Sequence, residues 1–331
     1  MEKEVLISVN NVKQWFPVKK WFFEKKEYVK AVDDVTLDIY KGETLGICGE
    51  SGCGKSTLLR TILQLLPPTS GSVKYNGKEL SKMSKGELNR IRKNIQIVFQ
   101  DPYSSLDNKM RVGDIIEEPM IINKIYKTKA ERVNKVKELM KQVGLDESYV
   151  DRYPHEFSGG QRQRIVIARA LATLPEILFC DEAVSALDVS VRAQILNLLE
   201  ELQENLKLTY MFVSHDLSVI EHICDRVVIM YLGKIVEIGS KDDIFKNPKH
   251  PYTRALISSI PMVDKVENRE RIILKGDIPS PVNPPSGCRF HTRCPFATER
   301  CSKEEPALNE VGEGHRAACL YAQNGEDFIK S

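Results

Sequence analysis

Gly49-Glu50-Ser51-Gly52-Cys53-Gly54-Lys55-Ser56-Thr57 decides how the rest of the chain is read. It fits G-x-x-x-x-G-K-[ST], a loop whose glycines turn backbone N–H groups inward around an anion. Thr44-Leu45-Gly46-Ile47-Cys48 before it reads as a short buried strand, and Thr57 to Leu63 after it as an amphipathic helix. The helix N-terminus adds partial positive charge to the cradle. Lys55 is placed to reach the β- and γ-phosphates, and the Ser56 hydroxyl to ligate Mg2+. A glycine-rich turn that ends by chance in Lys-Ser is the competing reading, and the strand-loop-helix setting argues against it. The loop is expected to bind a nucleoside triphosphate.

Working outward, 331 residues allow two domains, or one large domain with an appendage. A formal net charge of +2 gives no global argument for nucleic acid or an acidic partner. No apolar run reaches the ~18–20 residues of a membrane-spanning helix. Met1-Glu2-Lys3-Glu4 is charged and no apolar signal core follows it, so a cytoplasmic location is expected. Of the eight cysteines, Cys48, Cys53, Cys180 and Cys224 are scattered and read as small buried residues of a reducing compartment.

Toward the N-terminus, Val5 to Val9 reads as a strand leading into Asn10 to Pro17, and Val29 to Ile39 resumes strand-like alternation. Between them lies a basic and aromatic stretch with Lys19, Lys20, Trp21, Phe22, Phe23, Lys25 and Lys26, a bilayer or partner contact or simply a solvated loop. Phe16 is the first choice for an aromatic that stacks on a purine, with Trp15 and Tyr28 behind it.

Toward the C-terminus, Val73 to Lys78 reads as a strand entering an Asn76-Gly77 turn. Ile95 to Phe99 reads as a buried strand delivering Gln100, which at the carboxyl end of a strand can reach metal and water. From Asp101 to about Leu171 the pattern turns helical. Thr128 and Glu131 fit a capping box, Val133, Val136, Leu139, Met140 and Val143 one helix face, and Gly144 its terminator. Phe157-Ser158-Gly159-Gly160-Gln161 opens another helix with free N–H groups and a hydroxyl, a second anion site. One triphosphate does not need two such sites unless the second serves another subunit.

Ile177 to Asp181 is an apolar strand ending in the adjacent acids Asp181 and Glu182. Downstream of a phosphate loop, Asp181 becomes the expected Mg2+ partner and Glu182 the group that polarises the attacking water. Ser185 to Asp188 follow, then a helix face of Val191, Ile195, Leu198, Leu199 and Leu202. The strand Thr209 to Ser214 delivers His215, able there to hydrogen-bond a γ-phosphate.

Taken together in this order, the chain resembles the ATP-binding subunit of an ABC transporter over roughly residues 5–245. The matching motifs are Walker A (Gly49 to Thr57), Q-loop (Gln100), signature (Ser158 to Gln161), Walker B (Ile177 to Asp181, then Glu182), D-loop (Ser185 to Asp188) and H-loop (His215). Phe157 stands where many members carry Leu, and Phe16 stands where relatives carry the adenine-stacking aromatic. The resemblance implies an α/β fold, a P-loop NTPase core with an antiparallel β subdomain. The core is expected over 1–100 and 172–249, a helical subdomain over 101–171 and a C-terminal region over 250–331. It also implies head-to-tail pairing, with each ATP between one Walker A loop and the partner's signature helix, so Ser158, Gly159, Gly160, Gln161 and Asp188 join Phe16 and Gly49 to Thr57 at nucleotide. Ser56, Gln100 and Asp181 would hold Mg2+, while Lys55, Glu182 and His215 serve hydrolysis.

Gln100-Asp101-Pro102-Tyr103-Ser104-Ser105-Leu106, Cys180 to Ser190 and His250-Pro251-Tyr252-Thr253 resemble the oligopeptide/dipeptide branch of importers. Gln161 and the long insert before Tyr28 favour the second of its two ATPases. The implied partners are a related ATPase, two membrane permease subunits and an extracytoplasmic substrate-binding protein, with no nucleic acid. The implied place is the cytoplasmic face of the membrane, held peripherally.

Beyond His250, prolines 279, 281, 284, 285, 295 and 306 predict irregular structure. Cys288, Cys294, Cys301 and Cys319 lie in it as C-x5-C-x6-C-x17-C, which invites a metal centre. The paired knuckles usual for structural zinc are absent, although His291 and His315 keep zinc open, and unliganded thiols are a third reading. The resemblance favours a [4Fe-4S] cluster with a structural role. Two further functions remain beside peptide import: import of sugars or metals, and a soluble ABC-type ATPase acting on nucleic acid or ribosomes. One cassette with a short insert argues against the latter.

Overall fold

The computed structural model describes residues 3–18, 26–260 and 272–324. The readings on Lys19, Lys20, Trp21, Phe22, Phe23 and Lys25 fall outside them. In chain order the first strands are β1 (Val5–Pro17), β2 (Tyr28–Tyr40) and β3 (Thr44–Cys48), followed by helix α1 (Lys55–Ile62). The hairpin of β4 (Ser70–Tyr75) and β5 (Lys78–Glu79) turns at Asn76-Gly77, as its sequence predicts. Then come α2 (Lys85–Arg92), β6 (Ile95–Val98), α3 (Pro102–Ser105), α4 (Val112–Ile122), α5 (Lys129–Gln142) and α6 (Gly159–Leu171). Next are β7 (Ile177–Asp181), α7 (Val189–Leu206), β8 (Thr209–Val213), α8 (Leu217–Ile223), β9 (Arg226–Tyr231) and β10 (Lys234–Ser240). The chain continues through α9 (Lys241–Lys246), α10 (Pro251–Ser258), α11 (Glu299–Lys303), β11 (Asn309–Gly312) and β12 (His315–Ala317). These elements pack as two units, 1–4 with 40–44 and 82–213, and 5–39 with 45–81 and 214–331.

In the first unit β6, β7 and β8 form a parallel ladder, with Val98 beside Cys180 and Asp181 beside Val213. Every residue of β7 and β8 is buried, which is why both read as continuous apolar runs rather than alternating ones. β6 is shorter than its sequence suggests, and Phe99 lies 39% exposed beyond it instead of in a buried strand. Thr128 and Glu131 make the expected reciprocal capping box of α5, and Val136, Leu139 and Met140 are buried along it. Two ion pairs tie the helices together: Arg132 to Glu117 at 2.7 Å joins α5 to α4, and Arg169 to Glu118 at 2.8 Å joins α6 to α4. Along α7 the buried face is Ile195, Leu196, Leu198, Leu199 and Leu202, while Val191 is only half-buried.

In the second unit β2, β1, β4 and β5 lie in that order in one sheet, with β1 and β4 antiparallel. Alternation along β2 buries Val35, Leu37 and Ile39 and exposes Asp34 and Thr36, the period-two pattern of a sheet with one covered face. β3 runs parallel to β9, which turns back into β10 through Leu232-Gly233, both with positive φ as a tight hairpin requires. The region beyond residue 272 is less irregular than its prolines predict. β12 adds to the edge of β10, and β11 to β12. Strands of three and four residues are too short to register as alternation.

Candidate functional site

The phosphate loop leaves β3 and enters α1 through Gly54 at φ 107°, and because glycine has no side chain the first turn's N–H groups carry no side-chain cap. These amides, with those of the loop, stand where the motif predicts an anion cradle. Lys55 is buried, and its Nζ donates to the carbonyls of Gly49 at 2.7 Å and Glu50 at 3.0 Å, closing the loop on itself. Ser56 and Thr57 follow at the same helix end, half-buried. The loop is braced from outside: Gly233 N–H, in the β9–β10 turn, donates to the carbonyl of Cys53 at 2.8 Å. Burial pushes the Cys48 thiol up to about 12 and raises that of Cys53, and Cys180 is likewise pushed up to about 12. All four scattered cysteines are buried, as expected of packing residues.

The aromatics near the N-terminus divide by strand alternation. Trp15 is engaged: its Nε1 donates to Asp33 at 3.1 Å, Tyr28 lies at 6.2 Å, and the ammonium groups of Lys13 and Lys30 lie over its ring. Phe16, on the other face of β1, is half-buried. A cavity of about 740 Å3 opens on the Trp15 side, lined by Lys30, Arg289 and Arg316 among others, and none of the loop's residues reaches it.

In the other unit, the carboxyl end of the parallel ladder carries Gln100, Asp181 and Glu182. Gln100 is exposed just past β6, and Asp181 is buried as the last residue of β7. Glu182 follows at φ 51°, a left-handed conformation uncommon for a side chain of its size. It is held there by its N–H, which donates to Val213 at 2.9 Å, and by its carbonyl, which accepts from Ser185 N–H at 3.0 Å and Oγ at 2.9 Å. Backbone kept in a rare region by such bonds points to a required side-chain direction. β8 ends two residues before His215, which is exposed.

Ser158 is the N-cap of α6, and with Gln161 it makes a capping box, so its hydroxyl accepts from Gln161 N–H at 3.3 Å. Gly160 lies so close to α7 that a Cβ there would meet Val191 at 2.3 Å. Asp188 caps α7: its carboxylate accepts from Val191 N–H at 2.9 Å and from Ser190 Oγ at 2.8 Å, which lowers its pKa. The signature and D-loop residues thus meet where two helix N-termini converge. Phe157 is a core residue, edge-on to Tyr149 at 5.8 Å.

Cys288, Cys294, Cys301 and Cys319 line one small cavity with His250 and His291. Burial, with a smaller contribution from neighbouring thiols, pushes Cys288 up to about 11 and Cys294 up to about 12. Among the described residues no group of three or more His, Cys, Asp or Glu side chains is set to hold a single metal ion. His315 is occupied elsewhere, its Nε2 2.7 Å from Glu237, and His291 Nδ1 contacts the carbonyl of Cys288 at 2.8 Å. His250 accepts from Tyr252 N–H as the cap of α10, and burial lowers its pKa to about 4. Two residues that no spacing signal singles out reach the phosphate loop: Tyr252 and Arg293, 202 and 243 positions from their partner Glu50.

Residues 32–185 match the family model described as ABC transporter, and residues 236–301 that described as oligopeptide/dipeptide transporter, C-terminal region. The chain is 52% identical to the oligopeptide transport ATP-binding protein AppF of Bacillus subtilis, over 97% of this chain and 98% of that one. It is 49% identical to the dipeptide transport ATP-binding protein DppF of Haemophilus influenzae, over 97% and 98%. Among solved structures it is similar to the ATP-binding cassette MJ0796 in a dimeric post-hydrolysis state bound to ADP and Pi. That similarity has a TM-score of 0.62 and 32% identity, covering 71% of this chain and 99% of that one.

Proposed function

This chain belongs to the ATP-binding subunits of ABC transporters, in the oligopeptide/dipeptide group, and from that premise we propose that it hydrolyses ATP to power peptide import through a membrane complex. The similarity to peptide-transport ATPases along nearly the whole chain, C-terminal region included, carries the reading. Phe16 stacks on adenine, the loop from Gly49 to Thr57 cradles the phosphates, and Lys55 neutralises their charge. Ser56, Gln100 and Asp181 offer the hydroxyl, amide and carboxylate oxygens that suit Mg2+, which supplies charge neutralisation at the phosphate oxygens when bound. Glu182 polarises the attacking water and His215 hydrogen-bonds the γ-phosphate. Ser158, Gly159, Gly160, Gln161 and Asp188 act on the ATP of a paired, related ATPase, so that ATP closes the dimer and hydrolysis opens it.

Among the described residues no helix is long and apolar enough to cross a membrane. In this reading the subunit works peripherally, at the cytoplasmic face of two permease subunits supplied by a substrate-binding protein. The division into core (1–100 and 172–249), helical subdomain (101–171) and C-terminal region (250–331) follows these roles. Vesicles carrying the reconstituted complex should take up labelled oligopeptides only with ATP. Uptake of sugars or metal ions instead would move the chain to another importer, and no uptake with ATPase activity stimulated by RNA would overturn the reading.

The C-terminal cysteines belong to a [4Fe-4S] cluster in this reading. Support comes from four thiols that line one cavity, where a cationic centre would take them as thiolates and offset their like charge. A single zinc needs its thiolates ~2.3 Å from one point, whereas a four-iron centre is larger and spreads them. When bound, the cluster cross-links the irregular segment from Cys288 to Cys319. Anaerobically purified protein should contain about four irons and four sulfides per chain with broad visible absorbance. Colourless protein with one zinc would overturn this assignment and leave the ATPase intact.

A further inference from the structure

We propose that Arg293 and Tyr252 are positioning residues for ATP: acting on Glu50, they fix the phosphate loop and cancel a negative charge inside it. The proposal rests on the reading of Gly49 to Thr57 as the ATP site. Glu50 is chemically odd in that place. An anion cradle gains from N–H groups and cations, and a carboxylate within it repels a triphosphate.

All the polar groups of Glu50 are engaged. Its N–H donates to Tyr252 Oη at 2.8 Å. Its carbonyl accepts from Cys53 N–H at 3.2 Å and Lys55 Nζ at 3.0 Å. Its carboxylate receives both arms of one guanidinium, Arg293 Nη1 at 2.7 Å and Nη2 at 3.0 Å. A two-toothed, charge-assisted pair fixes direction as well as distance. The Arg293 side chain is 7% exposed and that of Glu50 24%, so water screens the pair only in part.

Both supports are anchored in the C-terminal part of the chain. Tyr252 is fully buried, its ring 4.8 Å from Tyr231 and 5.3 Å from Phe290. Arg293 sits in the turn between Cys288 and Cys294, where its N–H donates to the carbonyl of Phe290 at 3.0 Å. Whatever holds the cysteines therefore also holds the phosphate loop's counter-charge.

Arg293→Gln should raise the dissociation constant for fluorescent ATP about tenfold and that for ADP less, since ATP carries more charge. KM should rise with kcat nearly unchanged, the mark of lost uniform binding. Glu50→Gln with Arg293→Gln should recover most of the ATP affinity, because the uncompensated charge is gone. Purely structural damage would instead add. Tyr252→Phe keeps the buried ring and should weaken ATP and ADP alike by a few-fold, which tests the proposal even if Arg293→Gln does not fold. Arg300→Gln, an exposed change in the same region, should alter neither. Wild-type ATP affinity in folded Arg293→Gln and in Tyr252→Phe overturns the proposal, as does a double variant weaker than Arg293→Gln. The underlying site reading fails separately, if Lys55→Ala binds ATP normally.

Discussion

Glu182→Gln should abolish ATP turnover and leave ATP binding at its wild-type level. Two backbone contacts, to Val213 and Ser185, hold residue 182 at φ 51°, and neither involves the side chain. Glutamine has the same shape and meets the same strain, so the end of β7 and the neighbouring Asp181 keep their places. What disappears is a carboxylate able to accept a proton from the attacking water. General-base catalysis is worth about 10²- to 10⁴-fold, so phosphate release should fall to background while labelled ATP still binds. Under the proposed cycle, in which hydrolysis reopens an ATP-closed dimer, the variant should also accumulate as a nucleotide-bound dimer with its paired ATPase on size exclusion. Phosphate release at the wild-type rate would mean that another group activates the water.

The candidate site elements are legible because each is a local event with a strong signal. Gly54-Lys55-Ser56, the apolar run into Asp181-Glu182 and the helix start at Ser158-Gly159-Gly160 all fall within a few consecutive residues, where glycine and periodicity speak directly. The capping box that occupies the Ser158 hydroxyl with Gln161 N–H is seen only in the structure. β7 and β8 were equally plain, since burial on both faces writes itself as an unbroken apolar run. Phe99 misled because an apolar residue at a strand's end looks the same whether the strand includes it or stops before it. The strands β11 and β12 escaped because three or four residues with Glu310 and His315 among them carry no alternation, and their order comes from pairing with β10. In the sequence Glu50 is one more loop position. Its partners Tyr252 and Arg293 were out of reach, since a contact across two hundred residues leaves no mark in spacing, and only the fold brings the C-terminal part to the loop.

Gly54→Ala should remove ATP binding altogether, a loss of about a hundredfold or more, because two independent obstacles coincide at this residue. At φ 107° an L side chain is strained whatever surrounds it. In addition, the new Cβ would lie 2.0 Å from the carbonyl oxygen of Ala31. That oxygen belongs to β2, whose strand would have to shift, and the alternative is for the loop to turn its amides away from the cradle. The second course disturbs fewer packed residues. The expected result is therefore a protein with a slightly lower melting temperature that no longer binds ATP in calorimetry, rather than one that fails to fold. Lys55 makes the same point from the other side. Its ammonium is held by the carbonyls of Gly49 and Glu50, so a loop rotated at Gly54 carries the cation off its mark along with the amides. Wild-type affinity in this variant would mean that the triphosphate is held by groups other than the turn between β3 and α1.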